Sequence, residues 1–137
     1  MTRTTDGGVA RLHVSWPPLN ILTRAALAEL RAGLAAAAAD TTLRALVLTA
    51  EGRHFSAGAD VREHLPPNHE ALIPEFLDTM AALAAFPVPV VAAVRGRCLG
   101  GGFEVVQACD LVVAGEGASF GQPEVGLGGA APADRRG

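Results

Sequence analysis

Three glycines followed by a glutamate form the most chemically suggestive stretch of the sequence. Gly96-Arg-Cys-Leu-Gly-Gly-Gly102 runs directly into FEVVQAC (103–109), in which Glu104 is the only charged residue. A carboxylate in an otherwise apolar helix is costly to bury without a partner. Two readings stay open: it faces solvent, stabilised by the helix dipole, or it points into a cleft with its pKa tuned for proton transfer. A second carboxylate, Glu124, follows Pro123 in FGQPEVGLG (120–128) and by itself also reads as a solvated loop residue. Two carboxylates converging on one cleft could hold a water and divide acid and base roles. The third segment is HFSAGAD (54–60), whose small residues either let a backbone N–H approach a ligand or simply form a turn, with Asp60 as a turn residue or cap. The glycine cluster brings amides close to a ligand, or allows a tight turn and close helix packing. Its spacing is not G-x-G-x-x-G and no Lys-Ser/Thr follows, so a nucleotide reading has no support.

These residues need elements to position them. Val9 to Trp16 reads as a first strand, ended by Pro17-Pro18. Thr23 is an N-cap, and Leu27, Leu30 and Leu34 follow at helical spacing to about Ala39. Leu43 to Thr49 reads as a buried strand. A second helix starts near Pro74, a residue suited to a first turn, with Phe76, Met80 and Leu83 on its apolar face, and stops at Pro87. Val88 to Val94 is a third strand, Phe103 to about Cys109 a third helix, and Leu111 to Ala114 a fourth strand. Ala118 to Phe120 makes a short fifth one. Strands alternating with helices indicate an α/β layered architecture, though not a strict Rossmann alternation.

Composition narrows the chemistry. The chain has 137 residues, half of them apolar, which suits one domain with a core. A net charge of −3 argues against a nucleic-acid binder. All 11 cationic residues are arginines, so neither a Schiff-base lysine nor a P-loop lysine exists. Cys98 and Cys109 cannot make a zinc site alone, and no metal is expected; they read as two reduced thiols. The N-terminus lacks the apolar region of a signal peptide, and no apolar run reaches the roughly 18 residues of a membrane span. A cytoplasmic location is therefore expected.

The segments HFSAGADVREH (54–64), PVPVVAAVRGRCLGGGFEVVQACDLVVAGEGASFGQPEVGLG (87–128) and, more weakly, PPLNILT (17–23) together resemble the crotonase, or enoyl-CoA hydratase/isomerase, family. That resemblance implies a crotonase-like (ClpP/crotonase) spiral of ββα units acting on acyl-CoA thioesters, with homotrimers or hexamers for the full-length family. It implies an oxyanion hole from the backbone N–H groups of Ala59 and Gly101, and two glutamates, Glu104 and Glu124, flanking a catalytic water. Glu104 would be the water-activating base and Glu124 the proton donor. Ala57, Gly58, Ala59, Asp60 and Val61 would lie against CoA, which is part of the substrate; no separate cofactor is implied. PPLNIL, DVREHLP and GRCLGGGFE are similar to cyclohexa-1,5-diene-1-carbonyl-CoA hydratases. The CoA phosphates would require arginine, and Arg53, Arg62, Arg95 and Arg97 are near in sequence, each equally readable as a surface charge.

Family members are about twice as long as this chain. Residues 1–137 are therefore expected to form one partial crotonase-like domain without the C-terminal trimerisation region. Apolar surface would be left uncovered, and the chain alone would be weakly active or inactive. A CoA-binding remnant without turnover, a subunit completed by another chain, and other crotonase chemistry such as isomerisation or thioester hydrolysis are the alternatives. Retention of both glutamates favours hydration.

Overall fold

The computed structural model describes residues 1–57 and 68–121. Seven strands and three helices follow in the order β1 (Thr2–Asp6), β2 (Val9–Val14), α1 (Arg24–Ala38), β3 (Ala45–Ala50), α2 (Asn68–Ala84), β4 (Val90–Val94), β5 (Arg97–Leu99), α3 (Gly101–Gln107), β6 (Leu111–Ala114) and β7 (Ser119–Gly121). The main sheet has the order β1-β2-β3-β4-β6, and β5 pairs with β7 in a second, two-stranded sheet. Only β1–β2 is antiparallel; β2–β3, β3–β4, β4–β6 and β5–β7 are parallel. After β4 the chain places one strand in the small sheet, forms α3, then returns to the large sheet with β6 and to the small one with β7. This is a ββα turn repeating.

The core lies on one face of the large sheet. Ala10, Leu12 and Val14 of β2, Leu46, Leu48 and Ala50 of β3, and Val90, Ala92 and Val94 of β4 are buried at alternate positions. Against them pack Leu27, Leu30, Leu34 and Ala37 of α1, Leu72 and Leu83 of α2, and Val105 and Val106 of α3. The Thr23 hydroxyl caps α1 by accepting from the Ala26 N–H at 3.1 Å. Gly33 is where the Met1 side chain lies on α1, close enough that a Cβ would overlap it.

Four sequence expectations need correction. The polar TRTTD segment is a strand, β1, exposed at every position. Its signal was the Gly7-Gly8 pair, both at positive φ, closing a two-residue hairpin in which Asp6 faces Val9. Helix α2 begins at Asn68, and Pro74 lies within it rather than at its start. Proline there lacks the N–H that would bond one turn back. Arg31 of α1 donates from Nη1 to the Glu75 carbonyl (3.0 Å) and the Thr79 hydroxyl (2.9 Å), and from Nη2 to Glu75 Oε1 (2.5 Å). Strand β3 is buried on one face only. The glycine cluster itself contains a strand, β5, and α3 starts at Gly101, not Phe103.

The other face of the large sheet is open. Pairing aligns Val47 with Val91 and Val91 with Leu111, and Ala93 with Val113. Leu111 and Val113 are each 61% exposed on this uncovered face. Among the described residues, no helix is long and apolar enough to cross a membrane.

Candidate functional site

The 54–57 segment and the β5 segment run side by side. The Phe55 N–H donates to the Arg95 carbonyl (2.9 Å), the Ser56 N–H to the Arg97 carbonyl (3.1 Å), and the Leu99 N–H to the Ser56 carbonyl (3.0 Å). Ser56 and Cys98 form a parallel bridge. The Arg97 N–H donates to His54 Nδ1 at 2.9 Å, so that nitrogen carries the lone pair. Counting three residues onward along each arm from Ser56 and Cys98 reaches Ala59 and Gly101.

Each glycine of the triplet has a distinct reason to lack a side chain. Gly100, the residue before α3, has φ +54°, a left-handed backbone. Its N–H donates to the Gly121 carbonyl of β7 at 2.9 Å. At Gly101 a Cβ would overlap the Phe76 ring of α2, and at Gly102 it would overlap the Ser56 Cβ. The triplet therefore lets α3 begin tightly wedged between α2 and the 54–57 segment. Close packing, one of the two readings of the cluster, is real. It also leaves Gly101 as the first residue of α3, where an amide has no intrahelical acceptor.

Glu104 lies in the first turn of α3, half-buried, and its N–H donates to the Gly100 carbonyl at 3.1 Å. Phe103 packs on Phe120 of β7 with ring centroids 5.9 Å apart. Glu104 thus stands on a short helix held from three sides. Ala57 is buried, and its N–H donates to the Leu19 carbonyl at 2.8 Å. That amide is committed inside the fold. Gly58, Ala59, Asp60, Val61, Arg62 and Glu124 lie outside the described residues.

Sequence reasoning passed over Asn20 as a polar anchor, although it sits in the PPLN segment. It is 3% exposed, with φ +54°. Arg53 and Arg97 are exposed near the site. Arg95 lines a cavity of about 400 Å³ over the open sheet face, with Arg11, Thr49, Phe55 and Val113. Burial pushes the thiols of Cys98 and Cys109 up to about 12, which keeps both protonated at neutral pH. Among the described residues no group of three His, Cys, Asp or Glu side chains could hold a metal.

Comparison with known proteins follows this geometry. The sequence matches the family described as Enoyl-CoA hydratase/isomerase over residues 4–135. It is 42% identical over 128 residues to cyclohexa-1,5-dienecarbonyl-CoA hydratase of Thauera aromatica, covering 93% of this chain and 50% of the relative. It is 40% identical over 129 residues to the (7aS)-7a-methyl-1,5-dioxo-2,3,5,6,7,7a-hexahydro-1H-indene-carboxyl-CoA hydrolase of Mycobacterium tuberculosis, covering 91% and 52%. Among solved structures, an enoyl-CoA hydratase subunit from Geobacillus kaustophilus superposes with a TM-score of 0.82 at 38% identity, over 93% of this chain and 50% of that one. The chain spans about half the length of the curated relatives it matches. With the ββα repeat, the glycine triplet and Glu104 set as described, the chain belongs to the enoyl-CoA hydratase/isomerase family.

Proposed function

We propose that this chain carries the first half of an acyl-CoA hydro-lyase site that adds water to an α,β-unsaturated CoA thioester, the favoured substrate class being a cyclic dienoyl-CoA. The observation that carries the reading is the start of α3, where Gly101 opens the helix and half-buried Glu104 occupies its first turn. Attack of water on the β-carbon pushes charge onto the thioester oxygen. The backbone N–H groups of Gly101 and Ala59 stabilise that enolate, and removing one such donor costs about 10²–10³ in rate. Glu104 takes the proton of the attacking water, and Glu124 delivers a proton to the α-carbon. The tether supports this pairing. Gly121 is bonded to Gly100, and Glu124 follows it by three residues, a reach of at most about 11 Å when fully extended. The CoA moiety lies along residues 57–61, with arginine facing its phosphates, since lysine is absent. No separate cofactor takes part. Trimers or hexamers are proposed for the full-length form.

The 40% identity to a ring-type CoA hydrolase supports a second reading, in which the same oxyanion hole serves hydrolytic ring opening or thioester hydrolysis. The test is calorimetry of the chain with crotonyl-CoA and with cyclohexa-1,5-dienecarbonyl-CoA, alongside absorbance assays of hydration. The hydro-lyase reading expects binding of the thioesters and slow hydration that Glu104→Gln lowers by about 10²–10⁴-fold. Binding with no hydration, or free thiol released in place of hydrated product, overturns it in favour of the remnant or the hydrolase.

A further inference from the structure

We infer that Asn20 is a positioning residue for the thioester carbonyl, fixing the 51–57 segment that leads to one proposed oxyanion donor and against which the start of α3, bearing the other, packs; this rests on the acyl-CoA reading above. Asn20 is buried and left-handed, and its polar atoms reach in several directions. Its Nδ2 donates to the carbonyls of Glu51 (2.8 Å) and His54 (3.1 Å). Its Oδ1 accepts from the Trp16 N–H (2.7 Å), and its own N–H donates to the Trp16 carbonyl (2.7 Å). Both ends of the 51–54 turn are thereby held to one side chain. The next residues are held by the neighbouring backbone. The Ser56 hydroxyl donates to the Asn20 carbonyl at 2.7 Å, and the Ala57 N–H donates to the Leu19 carbonyl at 2.8 Å.

The second arm is reached through Ser56. Its Cβ lies where Gly102 would carry one, so the serine that Asn20 holds is also the surface on which the start of α3 rests. A shift of Ser56 therefore displaces Gly102 and its neighbour Gly101. An asparagine suits this place for two reasons. It tolerates positive φ better than other side chains, and its amide supplies two donors and an acceptor in one plane. In a buried loop, backbone carbonyls left without donors are costly, and Asn20 answers two of them. It touches no reacting atom; it fixes the segment on which the start of α3 rests. A misplacement of about 1 Å in such a constellation is enough to weaken it a hundredfold.

The experiment reads the carbonyl directly and does not depend on turnover. Cinnamoyl-CoA is titrated into the 137-residue chain, and its bound absorption spectrum is recorded with its Kd. Two amide donors on the thioester oxygen shift that absorption to the red. Asn20→Gly keeps the positive φ and the Ser56 hydroxyl bond to the residue-20 carbonyl, and removes the side-chain bonds to Trp16, Glu51 and His54. Ser56→Ala keeps the Cβ on Gly102 and removes only the hydroxyl bond, so it decides the matter if Asn20→Gly does not fold. Thr23→Ala, which removes the nearby helix cap, is the control for stability loss alone. The expected result is a red shift in the parent chain and in Thr23→Ala. More than half of it is lost in folded Asn20→Gly and Ser56→Ala, with Kd changed less than about tenfold. An undiminished shift in the two clamp variants overturns the role of Asn20 and leaves the acyl-CoA reading intact. A parent chain that binds cinnamoyl-CoA with no red shift, or fails to bind it, overturns both.

Discussion

At the residue scale, the glycine triplet shows how one short motif meets several demands at once. Gly100 supplies a left-handed turn, Gly101 makes room for Phe76, and Gly102 makes room for Ser56. Substituting Gly102 by alanine pushes a methyl group into the Ser56 Cβ. The expected cost is about 1–3 kcal/mol, read as a lower midpoint in urea unfolding. The two thiols offer a contrasting check. Cys98 is fully buried, so at pH 8 a thiol reagent should reach it only as fast as the chain opens, whereas half-buried Cys109 should react sooner. Prompt modification of Cys98 in the native chain would contradict that picture. The placement of Glu104 in a first helical turn was legible in the sequence because a run of glycines before an apolar helix is an unusual local pattern; the helix start at Gly101 was not. Asn20 and Ser56 were not, since their value comes from carbonyls and a glycine more than thirty residues away, which no spacing rule reports.

At the scale of elements, helices are anchored by individual polar contacts as well as by apolar packing. Arg31 joins α1 to α2 through three hydrogen bonds to Glu75 and Thr79, and Thr79 is fully buried. Arg31→Ala leaves that hydroxyl and carbonyl with fewer donors. We expect a loss of about 2 kcal/mol in thermal stability, and Phe76 carried away from Gly101. A second anchor holds the loop before α1 to the helix. Trp16 Nε1–H donates to Glu29 at 2.6 Å, and the amino terminus pairs with the same carboxylate at 3.1 Å. These two partners, the indole first, hold Glu29 below its ordinary value of 4.5. A carboxylate depressed in the folded state adds stability above its unfolded value, and that stability is lost as pH falls through the folded one. Acid titration should therefore change the emission of the single tryptophan below about pH 4.5, and Glu29→Gln should abolish that change. Helix α1 was readable down to its cap because leucine spacing and Thr23 are local signals. The start of α2 was misread because proline favours a first turn in general, whereas here the helix begins six residues earlier, at Asn68.

At the scale of the whole molecule, one face of the large sheet is covered and the other is not. The edge strand β6 is LVVA, exposed along its whole length, with Leu111 and Val113 on the open side. Long apolar edges invite pairing with other chains. We expect light scattering to show concentration-dependent association of the chain, and Val113→Lys to shift it toward monomer. The sequence's alternation of strands and helices was enough for an α/β class. It did not reveal that β5 and β7 leave the main sheet, because three-residue strands carry too little periodicity to assign.

The lateral pairings that tie residues 54–57 to β5, and Gly100 to Gly121, also bear on how this region tolerates changes in length. Three stretches far apart in sequence are brought into fixed register by those bonds. An insertion of one residue between Leu99 and Gly100 would leave β5 and its pairing with β7 in place. It would nonetheless move Gly100 past its Gly121 partner by roughly 3.3 Å, a full residue rise. Loops elsewhere on this chain, such as the tight hairpin at Gly7-Gly8, can lengthen without reaching the site. The stretch between β5 and α3 cannot, so such an insertion should barely change the circular dichroism and should weaken the thioester binding proposed above.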